Sequence, residues 1–147
     1  QHEIEAMVIG GHGDTTMIPI TSLAKCNNEL LTKILSENQI TEIASNTMVG
    51  GATLTKLLGT SAWYAPGASV SYLVSAILND TKEILPCSVL LDGEYGAKDL
   101  CIGVPVLIGK DGFEEVVELD LSNKELEMFK NSVKAVKETN SSLIGLI

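Results

Sequence analysis

The spacing of apolar positions changes several times along the chain, and each change marks an element. Ala6, Met7, Val8 and Ile9 form a short apolar run stopped by Gly10 and Gly11, which predicts a buried strand ending in a tight loop. Asn27 or Asn28 is placed to cap a helix whose stripe is Leu30, Leu31, Ile34 and Leu35, and a second short helix is expected from Thr41 to about Thr47. From Thr53 the pattern Leu54, Leu57, Leu58 is helical. Val70, Leu73, Val74, Ile77 and Leu78 resume it, with Pro66 expected to kink one long helix beside Ser61, Ala62, Trp63 and Tyr64. A kink of this kind either lines a cavity with small side chains or serves packing alone.

The second half reads differently. Ile84–Leu91 is a strand candidate closed by Asp92-Gly93. Leu100–Ile108 is another, turned at Gly109 to Gly112 so that Phe113–Leu119 pairs back. Pro86 and Pro105 each remove a ladder donor, so each is expected at an edge or a bulge. Ser122 and Glu125 form a capping box that opens a last helix burying Leu126, Phe129, Val133 and Val136, and the tail from Ser141 to Ile147 is apolar enough to dock. The elements do not alternate as a βαβ series does. The expected class is therefore α+β: an antiparallel twisted sheet with helices packed against it, including one long kinked helix.

At 147 residues and 45% hydrophobic content, the chain matches one domain with one core. A net charge of −9 argues against a nucleic-acid partner, since a polyanion binder needs a basic footprint. All ten cationic residues are Lys, so a planar bidentate clamp on a carboxylate must come from outside these residues. Cys26, Cys87 and Cys101 are odd in number and contain no C-x-x-C pair, which suggests reduced thiols in a cytoplasmic protein. No basic leader precedes an apolar run, and no run approaches the ~20 residues of a membrane span, so neither secretion nor a membrane partner is expected.

Gly10-Gly11-His12-Gly13-Asp14 is the most informative stretch. An imidazole at a strand end among three glycines can be approached closely by a ligand, and its ordinary pKa of about 6.5 suits proton exchange at neutral pH. From spacing alone, a glycine-flanked histidine is more often structural than functional. Asp14 either orients the ring or begins the next turn. Other chemistries fit less well. There is no G-x-S-x-G elbow, His2 and His12 are too few for a histidine metal site, and Gly103 to Lys110 has neither the spacing nor the Ser/Thr of a phosphate loop. Asn79-Asp80-Thr81 and Asn140-Ser141-Ser142 match a glycosylation sequon by chance frequency. Glu114, Glu115 and Glu118, like Lys130, Lys134 and Lys137, read as solvated faces.

Several ordered segments together resemble one family. Val8-Ile9-Gly10-Gly11-His12-Gly13-Asp14, followed by Ile18-Pro19-Ile20, resembles the active-site histidine segment of malate and lactate dehydrogenases. Ser61-Ala62-Trp63-Tyr64-Ala65-Pro66 resembles a helix segment of the lactate-dehydrogenase-like malate dehydrogenases. Leu85-Pro86-Cys87-Ser88-Val89, Gly93-Glu94-Tyr95-Gly96 and Ile102-Gly103-Val104-Pro105 resemble its C-terminal strands. The sequence departs from the family in a shorter stretch after Pro19, and in Asn46-Thr47-Met48-Val49, where Arg or Lys is common before the paired glycines.

The resemblance implies that residues 1–147 form the C-terminal, substrate-side domain, with a Rossmann NAD-binding domain outside this chain. It implies hydride transfer between NAD and a short 2-hydroxy/2-oxo acid, with His12 as proton-transfer residue and Ser61 and Ala62 near the substrate. The family's His-orienting aspartate and substrate-clamping arginine share an Asp-x-x-Arg motif upstream of the histidine strand. That motif is not in this chain, so the isolated chain is expected to be inactive. Malate is preferred to lactate, and a homodimer or homotetramer is expected. The alternative from another class is a non-catalytic oligomerisation module.

Overall fold

The computed structural model describes residues 3–144. Its frame is a five-stranded antiparallel sheet. Strand β2 (Val8–Gly10) forms a hairpin with β3 (Met17–Pro19), and β6 (Glu83–Asp92), β7 (Lys98–Gly109) and β8 (Gly112–Val116) form the expected meander, so that the order is β3-β2-β7-β6 with β8 also on β7. The alternation of apolar positions on β7 decides the core: Ile102, Val104, Val106 and Ile108 are buried, together with Ile9 and Ile18 of the hairpin and Phe129 above them. The α+β expectation therefore holds, with helices packed on an antiparallel sheet.

Several local expectations shift. Asn27 and Asn28 do not cap a helix. Both have positive φ (51° and 65°) and form the two-residue turn between β4 (Lys25–Cys26) and β5 (Glu29–Leu30), a conformation asparagine tolerates. With β1 (Ile4–Glu5) these make a small second sheet that the short, mixed runs did not disclose. Only one turn, α1 (Leu31–Ile34), follows. The long helix is α2 (Glu37–Leu58), which absorbs the stretch expected at Thr41–Thr47 and carries the capping box of Ser36 and Gln39.

The break in the long helical stretch falls earlier than Pro66 suggests. Gly59, at φ 69°, ends α2 in a left-handed C-cap, and α3 (Tyr64–Leu78) starts anew. Pro66 then sits in the first turn of α3, where the helix uses no N–H.

Pro86 lies on edge strand β6 as expected, but Pro105 is on the central strand. The two prolines face each other across the β6–β7 ladder. The carbonyl of Pro105 accepts from Val117 N at 2.9 Å, so its backbone faces away from β6. On that side the pairing of β7 passes from β2 at Gly103 to β8 at Val106, and the missing donor falls in the gap.

Helix α4 (Asn123–Ser141) opens with the Ser122–Glu125 capping box foreseen from the sequence and buries Phe129. The tail does not dock over its described part, since Leu143 and Ile144 are exposed; residues 145–147 lie outside the described residues. No helix among the described residues is long and apolar enough to cross a membrane.

Candidate active site

His12 stands in the loop between β2 and β3, and the geometry of that loop follows from its glycines. Gly10 has φ 97°, and a Cβ there would lie 2.4 Å from the Thr16 carbonyl oxygen. Gly103 opposite it on β7 would place a Cβ 2.8 Å from the Gly10 oxygen, so a glycine at 103 is what lets β2 and β7 meet at this point. Beyond His12 the chain turns tightly: Thr16 N and Met17 N both donate to Gly13 O at 2.9 Å. The result is an exposed imidazole on a braced loop.

A cleft of about 1010 Å³ opens beside it, bounded by the loop, by α2 and by α3. His12, Asp14 and Met17 form one wall, and Leu54, Thr55 and Lys56 another. Ala62, Ala65, Pro66, Ser69 and Val70 close it, so the break between α2 and α3 does line a cavity. Of the residues singled out in the sequence, His12 and Ala62 share this space; Ser61 is adjacent in the chain but is not part of the wall. Asp14 shares the cleft with His12, and no hydrogen bond joins the two among the described residues. Lys56 is the cation of the lining, in an otherwise mostly apolar enclosure.

A smaller cavity of about 460 Å³ lies on the sheet side of His12 and includes Cys87 and Cys101. Burial pushes the Cys87 thiol above its ordinary value, so at neutral pH it is a poor nucleophile.

Ser132 of α4 went unnoticed in the sequence, and Glu125 was seen there only as a capping partner. Ser132 Oγ accepts from Gly11 N (2.8 Å) and donates to the Thr16 carbonyl (2.8 Å). Glu125, only 5% exposed, accepts from Ser22 N (3.1 Å) and Ser22 Oγ (2.6 Å) as well as from Ser122. Burial works to raise the Glu125 carboxyl, but the hydrogen bonds from Ser122 and Ser22 outweigh it and hold the group below its ordinary value. The available signal was a serine interrupting the apolar stripe of α4 between Phe129 and Val136.

A cleft with a glycine-flanked histidine, set between an antiparallel sheet and a broken helix pair, defines a class. The chain belongs to the lactate/malate dehydrogenase family as its alpha/beta C-terminal domain, whose family model matches residues 1–143. Its relatives sharpen the comparison. It is 58% identical over 142 residues to the malate dehydrogenase of Bacteroides thetaiotaomicron, covering 97% of this chain and 45% of that protein. With the malate dehydrogenase of Flavobacterium johnsoniae it shares 56% identity over 146 residues, or 99% of this chain and 47% of that one.

Among solved structures, malate dehydrogenase from Salinibacter ruber superposes with a TM-score of 0.92 at 42% identity, covering 98% of this chain and 47% of that one. Lactate dehydrogenase from Eimeria maxima with NADH and oxamate gives 0.91 at 32% identity, covering 97% and 46%. The chain thus spans less than half the length of the relatives it matches.

Proposed function

We propose that the full-length protein containing this chain is a malate dehydrogenase, in which His12 takes the C2 hydroxyl proton of malate on oxidation and returns it to oxaloacetate on reduction. The observation that carries this reading is the exposed imidazole on a glycine-braced loop facing a cleft wide enough for a four-carbon acid. The names of the relatives favour malate.

The lining suits a nicotinamide ring and a small acid rather than a dinucleotide pyrophosphate: its walls are mostly apolar, and the chain has neither an arginine nor a phosphate loop. NAD, held mainly by a Rossmann domain outside this chain, supplies the hydride acceptor and donor. What these residues do is hold and move the proton at the His12 ring, exclude water with Met17, Leu54 and Pro66, and offer one cation, Lys56, to an anionic substrate. The aspartate that orients the ring and the arginine that clamps the C1 carboxylate belong to the upstream half. A cytoplasmic homodimer or homotetramer completes the reading.

An NADH-oxidation assay with oxaloacetate and pyruvate, on the parent and on the 147-residue chain, tests it. Activity in the parent alone, favouring oxaloacetate, is expected. Preference for pyruvate would make the parent a lactate dehydrogenase, and a folded parent silent on both acids would leave an oligomerisation module. In the active parent, His12→Asn is expected to lower kcat about 10²-fold or more with NADH affinity little changed.

A further inference from the structure

Ser132 is 3% exposed and three residues beyond Phe129, on the buried side of α4, where an apolar residue would pack without any hydrogen-bond cost. Its hydroxyl instead bridges two backbone groups on opposite sides of His12: the N–H of Gly11 just before it and the carbonyl of Thr16 at the far end of the loop, both at 2.8 Å. A hydroxyl is the smallest side-chain group that donates and accepts at once. A Cβ at Gly11 would lie 2.9 Å from Thr16 Oγ1 and 3.0 Å from Val136, so the loop packs closely against its own far end and against α4 at this point. Seven residues earlier, about two helical turns, Glu125 anchors Ser22 at the other end of the same hairpin.

We propose that Ser132 is a positioning residue for His12: its bridging hydroxyl sets the width of the loop and with it the place of the imidazole in the cleft. The proposal rests on the reading of His12 as the proton-transfer group. Proton transfer between heavy atoms demands hydrogen-bond distance to the substrate oxygen, and a displacement of about 1 Å is enough to cost two orders of magnitude in rate. Ser132 does not line the cleft, so it acts through the loop. Glu125 fastens the same helix without touching the residues next to His12, which makes it the internal control.

The experiment compares parent enzyme with Ser132→Ala, Ser132→Cys, Glu125→Gln and His12→Asn, measuring kcat and KM for oxaloacetate per folded subunit together with thermal unfolding. Ser132→Ala is expected to lower kcat at least about tenfold, with KM for oxaloacetate changed less than about threefold. Glu125→Gln is expected to lower the unfolding temperature while kcat stays within about twofold of the parent. Ser132→Cys fills the site with a slightly larger side chain that hydrogen-bonds weakly, and it should reproduce the kcat loss if the alanine variant does not fold. A kcat within about twofold of the parent in a folded Ser132 variant would overturn the positioning role and leave His12 untouched. Full turnover in His12→Asn would overturn both.

Discussion

At Gly10 the backbone has left the region open to L side chains, and any Cβ would run into the Thr16 carbonyl oxygen. Gly10→Ala is therefore expected to destabilise the chain by more than about 2 kcal/mol, as urea unfolding would read. Glu125 yields a prediction in pH. Its carboxyl is held below its ordinary value, so the stabilisation it gives is full above the ordinary carboxylate pKa of 4.5 and disappears as pH falls through the lower folded value. The gap in unfolding temperature between parent and Glu125→Gln should be widest near neutrality and close in acid; a constant gap would rule the linkage out. His12 was legible because glycines on both sides advertise close approach. Ser132 was not, because a serine within an apolar stripe is identical in sequence to one that merely faces solvent.

Among the elements, local signatures read correctly at the last helix and the meander but not at the Ser36–Gln39 box, and those decided by tertiary pairing did not read. The Ser122–Glu125 box and the β6–β8 meander carry their signals in a few consecutive residues. The Asn27–Asn28 pair satisfies both a cap and a turn pattern, and only the pairing of Lys25 with Leu30 decides between them. Pro66 drew the helix break toward itself, although a first-turn proline costs nothing and Gly59 is where the chain turns left-handed. Two substitutions check that boundary by thermal or urea unfolding. Ser36→Ala, which removes the α2 cap, should cost about 1 kcal/mol. Gly59→Ala should cost about 1 kcal/mol through the strained C-cap, whereas an α2 running unbroken through residue 59 would gain from alanine.

For the whole molecule, the sheet and α4 enclose a core while α2 and α3 leave large apolar side chains outside it. Leu57 and Leu78 are each 79% exposed, Trp63 72% and Tyr64 91%. Such surface on a chain spanning less than half the length of its relatives fits a site completed by further protein. On the malate dehydrogenase reading, adding a separately produced upstream half should yield oxaloacetate reduction and move the emission of Trp63, the chain's one tryptophan, to shorter wavelength. Unchanged emission would take Trp63 out of the contact. The bonds from Ser132 to Gly11 and Thr16 also bear on synthesis, because they join residues 121 and 116 positions apart. A ribosome releases the His12 loop more than a hundred residues before the serine that braces it. Until α4 has cleared the exit tunnel, the nascent hairpin has its glycines and its histidine but no brace, so the loop takes its final width only once that helix has emerged.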